Sequence, residues 1–229
     1  MFKQFRKFER GEFFIVGGDC SQGGEDSNCC QFYSKTKQDV PLHYHKQGVA
    51  TTMTTEIYPV LNKIFDVTGI PPVVGFERQN GGASEMERLR LMNRYQKYTI
   101  FVMPKVGKND KSLDENTNNK EDLTNDLGYN TSDITRPTLV GDLKNFIDLR
   151  AFKVYDETTI QQLFWFILSR TGKPQAMRGK HDDCVMALGI TQQIAQIVIP
   201  PAPQELVQQK TDQARNVARN IVKQMKGFY

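Results

Sequence analysis

The chain has 229 residues, 38% of them hydrophobic, with a formal charge of +4 and a pI of about 8.8. That length suits one large domain with a full core. No run approaches the roughly 20 apolar residues of a spanning helix, which excludes a helical membrane protein. The mild positive charge does not by itself mark a nucleic-acid binder. The four cysteines lack CxxC spacing and read as buried thiols in a reducing compartment, not as a disulfide or zinc framework.

Residues 13–19 are almost wholly apolar up to Asp19 and predict a central buried strand. Gly23-Gly24-Glu25-Asp26 reads as a turn. Residues 28–34 and 40–47 predict two more strands, completing an antiparallel meander. Cys29 and Cys30 then point to opposite faces, and His43 and His45 read as surface or packing residues. Ile57, Val60, Leu61, Ile64 and Phe65 recur at helical spacing and predict a helix over 54–68, broken by Pro71-Pro72. A strand ending at Glu77 follows, then Gly81-Gly82, a helix over 83–95 and a strand over 98–103. The order βββαβαβ predicts an α/β fold whose mixed sheet carries the meander at one edge.

Residues 105–133 are rich in Asn, Asp, Lys and Thr. They are too long and polar for an ordinary connection, so a function-specific insertion is expected. A helix over 138–148 and a short strand at Phe152-Lys153-Val154-Tyr155 come next. Asp156 is the expected N-cap of a helix over 157–170. A basic loop at 172–180 leads into a last helix, from Asp182 or Asp183 to Val198. Pro200-Pro201-Ala202-Pro203 ends the expected domain, 1–200. Residues 201–229 form a polar tail or helix, with Leu206, Val217, Ile221 and Val222 as sparse apolar points.

The chemistry gathers at strand and helix ends. Asp19 and Glu77 each end an apolar strand, and Asp182-Asp183 open the last helix. Carboxylates without a Cys/His ligand pattern suit a hard cation, Mg²⁺ or Mn²⁺. Two such ions can activate water on one side of a phosphodiester and stabilise the leaving oxygen on the other. Each acid also has a plainer reading: a turn cap for Asp19, a surface ion pair for Glu77, a helix cap for Asp182 and Asp183. His181 either orders a metal-bound water or flanks the helix start. Lys173, Arg178 and Lys180 form either a solvated loop or a phosphate contact. Arg78 and Asn80 precede Gly81-Gly82, where backbone N–H groups could approach a phosphate.

These residues resemble the nuclease domain of tailed-phage large terminases, in the ribonuclease H-like superfamily. Gly18-Asp19-Cys20-Ser21-Gln22-Gly23 with Asp26-Ser27-Asn28 is similar to the family's opening G-D-x-(A/S)-x-G and the strand after it. Phe76-Glu77-Arg78-Gln79-Asn80-Gly81 resembles (E/D)-x-N-x-x-G with the Asn offset. His181-Asp182-Asp183-Cys184-Val185-Met186-Ala187-Leu188 resembles the third motif. Leu127-Gly128-Tyr129-Asn130-Thr131 with Thr135-Arg136 resembles the segment after the family's β-hairpin insertion. The likeness spans residues 10–198.

The resemblance implies a ribonuclease H-like mixed sheet, an antiparallel meander plus parallel strands, flanked by helices and carrying a terminase-type β-hairpin insertion at 105–133. It implies an endonuclease that cuts concatemeric double-stranded viral DNA with two divalent metals, Mg²⁺ or Mn²⁺, in the cytoplasm of a bacterial host. Asp19, Glu77 and Asp183 would be the catalytic, metal-binding acids, with Asp182 a fourth and the order within the 182–183 pair open. His181 and Lys180 would support them, and Arg78, Asn80, Lys173, Arg178 and Lys180 would face DNA. The packaging ATPase domain, the portal and the small terminase subunit would be partners. The chain contains no G-x-x-x-x-G-K-(S/T) element and is not expected to hydrolyse ATP. A junction resolvase or recombinase core, and a non-catalytic docking module of the packaging motor, are the alternatives.

Overall fold

Three large apolar residues, Phe14, Ile15 and Val16, are fully buried on both faces of β2 (Phe14–Asp19). A strand with such a sequence forms only where both faces of a sheet are covered. The computed structural model describes residues 1–104 and 127–201. Around β2 lie β1 (Phe2–Gln4), β3 (Gln22–Ser34), β4 (Asp39–Val49), β5 (Val73–Phe76), β6 (Thr99–Ile100) and β7 (Lys153–Val154). Among the described residues these form one seven-stranded sheet in the order β1-β4-β3-β2-β5-β6, with β7 also on β4. The β2–β3–β4 meander is antiparallel, while β2–β5 and β5–β6 are parallel. A second sheet pairs β8 (Phe166–Leu168) with β9 (Pro174–Ala176).

Helix α1 (Ala50–Thr68) covers one face. Met53, Ile57, Leu61 and Ile64 form its buried stripe, and they join Phe14, Val16, Cys30, Phe32, Tyr44, Val74 and Phe76 in one core. Gly69, at φ 76°, ends the helix with its N–H on the Phe65 carbonyl, an αL cap. Helix α2 (Gly82–Met92) adds Met86 and Leu89 to that core. The remaining helices are α3 (Thr135–Asp148), α4 (Glu157–Trp165) and α5 (Asp183–Ile197). Helix α5 lies across β2, β3 and β5, and α3 and α4 pack on it. These described elements make one compact unit, Met1–Ile197.

Several expected boundaries move. Gly23 and Gly24 are not a turn. They sit inside β3 with φ of 103° and 84°, where the β3–β4 register shifts between Gln22 and Ser27, so their freedom serves a bulge. Helix α1 begins at Ala50 rather than 54, because Ala50 and Met53 extend the buried stripe although no side chain caps the start. Strand β1 was not expected; Phe2 earns its place by packing on Phe32 and Tyr44. Asp156 does cap α4, accepting from the Thr159 N–H. That helix stops at Trp165, not 170, and the "basic loop" is half of the β8–β9 hairpin. The aromatic and β-branched residues Phe166 and Ile167 favour strand, and Gly172 at φ 76° makes the turn. Most of the expected 105–133 insertion and nearly all of the 201–229 tail lie outside the described residues.

Glycine sets the distance between α5 and the sheet. A Cβ on Gly17 would lie 2.2 Å from Thr191 Oγ1 and 2.6 Å from the Thr191 backbone nitrogen. The backbone contact cannot be relieved by a rotamer change. Gly17→Ala is therefore expected to cost about 1–3 kcal/mol by overpacking. A thermal melt matching wild type would refute this close approach.

Candidate metal centre

Asp19 is the last residue of β2, and Glu77 follows the last residue of β5. These strands are parallel neighbours in the register Gly18 to Phe76, so the two acids emerge side by side at one sheet end. The Glu77 N–H donates to the Gly18 carbonyl at 2.7 Å, which extends the pairing. Both acids are buried, 8% and 7% exposed. Gly82 lets the chain turn away immediately after Glu77, since a Cβ there would lie 1.7 Å from the Glu77 carbonyl oxygen. Its N–H is used on the Gln79 carbonyl and that of Ala83 on Arg78, so these groups close the turn instead of facing outward to a phosphate.

Helix α5 brings the third wall. Thr191 touches Gly17, and Asp183 lies two helical turns before Thr191, which returns the helix N-terminus to the end of β2 where Asp19 sits. The two adjacent aspartates have different partners. Asp182 Oδ2 accepts from Arg136 Nη2 at 2.6 Å. Asp183 Oδ2 accepts from the Ser27 N–H at 3.3 Å, and its neighbours Asp26 and His181 offer ligand atoms all within 4.8 Å of one another and of it. His181 Nδ1 lies 3.7 Å from Asp26 Oδ1.

Residues 127–136 support the acids from the side. Tyr129 forms a parallel bridge with Glu77, and the Arg78 N–H donates to the Tyr129 carbonyl at 2.9 Å. Thr131 Oγ1 donates to Glu77 Oε1, and Gln79 Nε2 donates to the Thr131 carbonyl at 2.6 Å. It is thus Gln79, two residues after Glu77, whose amide reaches the Thr131 backbone, while Asn80 is exposed at φ 54°. Sequence reasoning placed Thr131 and Arg136 in a motif without giving them a role; a hydroxyl and a guanidinium at fixed distance after a buried segment were the signal.

The electrostatics favour a cation. Burial is the largest cause that pushes the Asp19 carboxyl well above the ordinary carboxylate range, followed by Glu77 and then by Asp183 and Asp182. Burial also pushes Asp183 up to about 6, against the Ser27 N–H and His181, which favour its charged form. A buried acid raised by the negative charge around it is relieved by a divalent ion, which supplies the missing positive charge. Oxygen donors of this kind match a hard cation.

The basic residues surround the site unevenly. Lys173, Arg178 and Lys180 are exposed. Lys180 Nζ stands 4.1 Å over the Trp165 ring, a cation–π contact, and Lys173 reaches Asp133 only at 3.9 Å. Arg78 is half-buried. The structure also brings together a Cys/His group that local spacing did not reveal: Cys29, His43 and Cys184. Its members come from two strands and a helix, so no short sequence window contains the pattern. His43 is fully buried, not at the surface, and stacks on His45 at 13° between planes.

A carboxyl with a raised folded pKa binds more protons folded than unfolded, so it lowers stability as pH rises through the window between those values. For Asp183 that window runs from 3.8 to about 6. Asp183→Asn should therefore raise the Tm at pH 8 with divalent cations removed, with the gain shrinking toward pH 4. Superimposable melts at pH 8 would sink this assignment.

No protein-family model matches the chain, and no curated protein matches it in sequence. Solved structures do match in fold. The magnesium-bound large terminase nuclease of thermophilic phage G20c aligns with TM-score 0.58 and 13% identity, over 84% of this chain and 86% of that one. Its cobalt-bound form gives 0.57 at 13% identity, over 84% and 86%. The large terminase nuclease domain of Thermus phage P74-26 gives 0.55 at 14% identity, over 83% of each chain. The mixed sheet flanked by helices is therefore the ribonuclease H-like fold of the phage large-terminase nucleases.

Proposed function

We propose that the chain is a divalent-metal-dependent DNA endonuclease of a viral genome-packaging terminase, cutting concatemeric double-stranded DNA. The observation that carries this reading is the meeting of Asp19, Glu77 and Asp183 at one end of the sheet. The shared fold supports it, as do the G20c nuclease structures, which were solved with magnesium, cobalt and zinc bound. Asp19, Glu77 and Asp183 would hold Mg²⁺ or Mn²⁺, two ions when DNA is bound, and Asp26 and His181 beside Asp183 suit a second position. Such ions polarise the phosphodiester and supply a nucleophile from water at neutral pH.

The protein's own groups do the positioning. Thr131 fixes one Glu77 oxygen, and the Ser27 N–H orients Asp183. Asp182 is occupied by Arg136, which favours Asp183 as the direct ligand and gives Asp182 the task of anchoring the helix start to α3. Arg78, Lys173, Arg178 and Lys180 would meet phosphates, with Asn80 beside them, in a sequence-independent way. The ATPase domain, portal and small terminase subunit of a packaging motor are the partners this reading calls for, with the bacterial host cytoplasm as its setting.

Nicking of supercoiled plasmid should need Mg²⁺ or Mn²⁺, stop in EDTA, and disappear in Asp19→Ala and Asp183→Ala proteins that keep the wild-type circular dichroism spectrum. Undiminished cleavage by a folded Asp19→Ala protein would overturn the site. Arg178→Ala and Lys173→Ala should each flatten the log–log salt dependence of DNA binding by about one unit. An unchanged slope would remove that hairpin from the DNA interface.

A further inference from the structure

On the face of the sheet covered by α4 and α5 lies a second, unlike cluster. Cys29 Sγ is 3.2 Å from His43 Nε2, and the ligand atoms of Cys29, His43 and Cys184 all fall within 4.8 Å of one another. Each of these residues is 0% exposed. They arrive from β3, β4 and the first turn of α5.

The separations, from 3.2 Å to at most 4.8 Å, bracket those of a tetrahedral thiolate–imidazole site. Zn–S bonds of about 2.3 Å and Zn–N bonds of about 2.0 Å place sulfur and nitrogen about 3.5 Å apart, and two sulfurs about 3.8 Å apart. The Cys29–His43 pair, at 3.2 Å, needs to open by only a few tenths of an ångström to reach the sulfur–nitrogen separation. His43 presents Nε2 to the sulfur, while its Nδ1 lies 3.0 Å from Asp156 Oδ2, though without the alignment of a hydrogen bond. A carboxylate behind the second ring nitrogen is the arrangement that orients metal-binding imidazoles. Asp156 is itself held by the Thr159 N–H and hydroxyl and by Lys3. Gln31 lies on the same strand face as Cys29, two residues on. Its Nε2 donates to Thr159 Oγ1 at 2.9 Å and lies 3.3 Å from the Cys184 carbonyl and 3.9 Å from Cys29 Sγ. Its Oε1 is buried with no hydrogen-bond partner.

We propose that Cys29, His43 and Cys184 bind one Zn²⁺, with Gln31, its amide turned over so that Oε1 takes the place of Nε2, completing the four-coordinate shell. The site is closed on all sides by core, so it is structural and offers no open position for a substrate. Its placement gives it a task. Cys29 is the register partner of Asp19, and Cys184 follows Asp183. The ion bolts the helix start to the strand pair and fixes the separation of two acids without joining them. This inference is independent of the nuclease reading.

The test is metal content and Co²⁺ spectroscopy on the full chain, purified without chelators. Stoichiometric zinc, replaceable by Co²⁺ with an intense near-ultraviolet thiolate-to-metal charge-transfer band, is expected. Asp19→Ala should keep that band, and Cys184→Ser and His43→Gln should lose or shift it. If those variants do not fold, the wild-type band decides. A wild-type protein that carries no zinc and gives no thiolate band with Co²⁺ overturns the proposal, as does a Cys29–Cys184 disulfide found by mass spectrometry. Zinc without the charge-transfer band also overturns it, because that metal would sit on carboxylates. Loss of nicking in Asp19→Ala with the band intact separates the two sites.

Discussion

Everything near the acids depends on how closely α5 approaches β2. A helix and a strand normally stand apart by the depth of their side chains. Here Gly17 contributes none, and Thr191 settles against the strand backbone, with its hydroxyl turned back to the Ala187 carbonyl at 2.6 Å. Gly75 repeats the device under Ile194, where a Cβ would lie 2.6 Å from Ile194 Cδ1. On the far side of α5, Gly189 admits Leu139 of α3 in the same way. The helix is thus sunk between two layers, and its first turn has little freedom to drift from the ends of β2 and β5.

That constraint explains why charged groups tolerate burial there. Isolated buried carboxylates are costly, and among the described residues these have few compensating partners: Arg136 serves Asp182, the Thr131 hydroxyl donates to Glu77, and Asp19 lies against Glu77 itself. The surrounding core supplies the stability that holds them together, chiefly the aromatic and aliphatic packing of α1 and α2 under Phe14, Phe32 and Phe76.

Much of this was legible in the sequence. The unbroken apolar run into Asp19 has no other comfortable home than a central strand. The helical spacing of Ile57, Leu61 and Ile64 pointed to the stripe that α1 buries, and the Asp156 cap followed from its side-chain chemistry. What was not legible depends on long-range partners. Gly23-Gly24 has turn chemistry, yet pairing with β4 drew it into a strand. Phe166 and Ile167 continue a plausible helix until β9 offers them an edge. Asp182 and Asp183 are chemically identical, and only their partners, Arg136 for one and the Ser27 N–H for the other, tell them apart. Cys29, His43 and Cys184 lie far apart in the chain and meet only because β3, β4 and α5 stack.

Adjacent Cys29 and Cys30 have one further consequence. They share a backbone and a residue type, but Cys30 lies among the aromatic residues under α1, and Cys29 lies against Cys184 and Ala187 under α5. Neither thiol can react with a reagent until its own layer opens. With zinc stripped by a chelator, their labelling rates would therefore clock two separate opening motions of one protein, reporting whether the two sides of the sheet breathe together or apart.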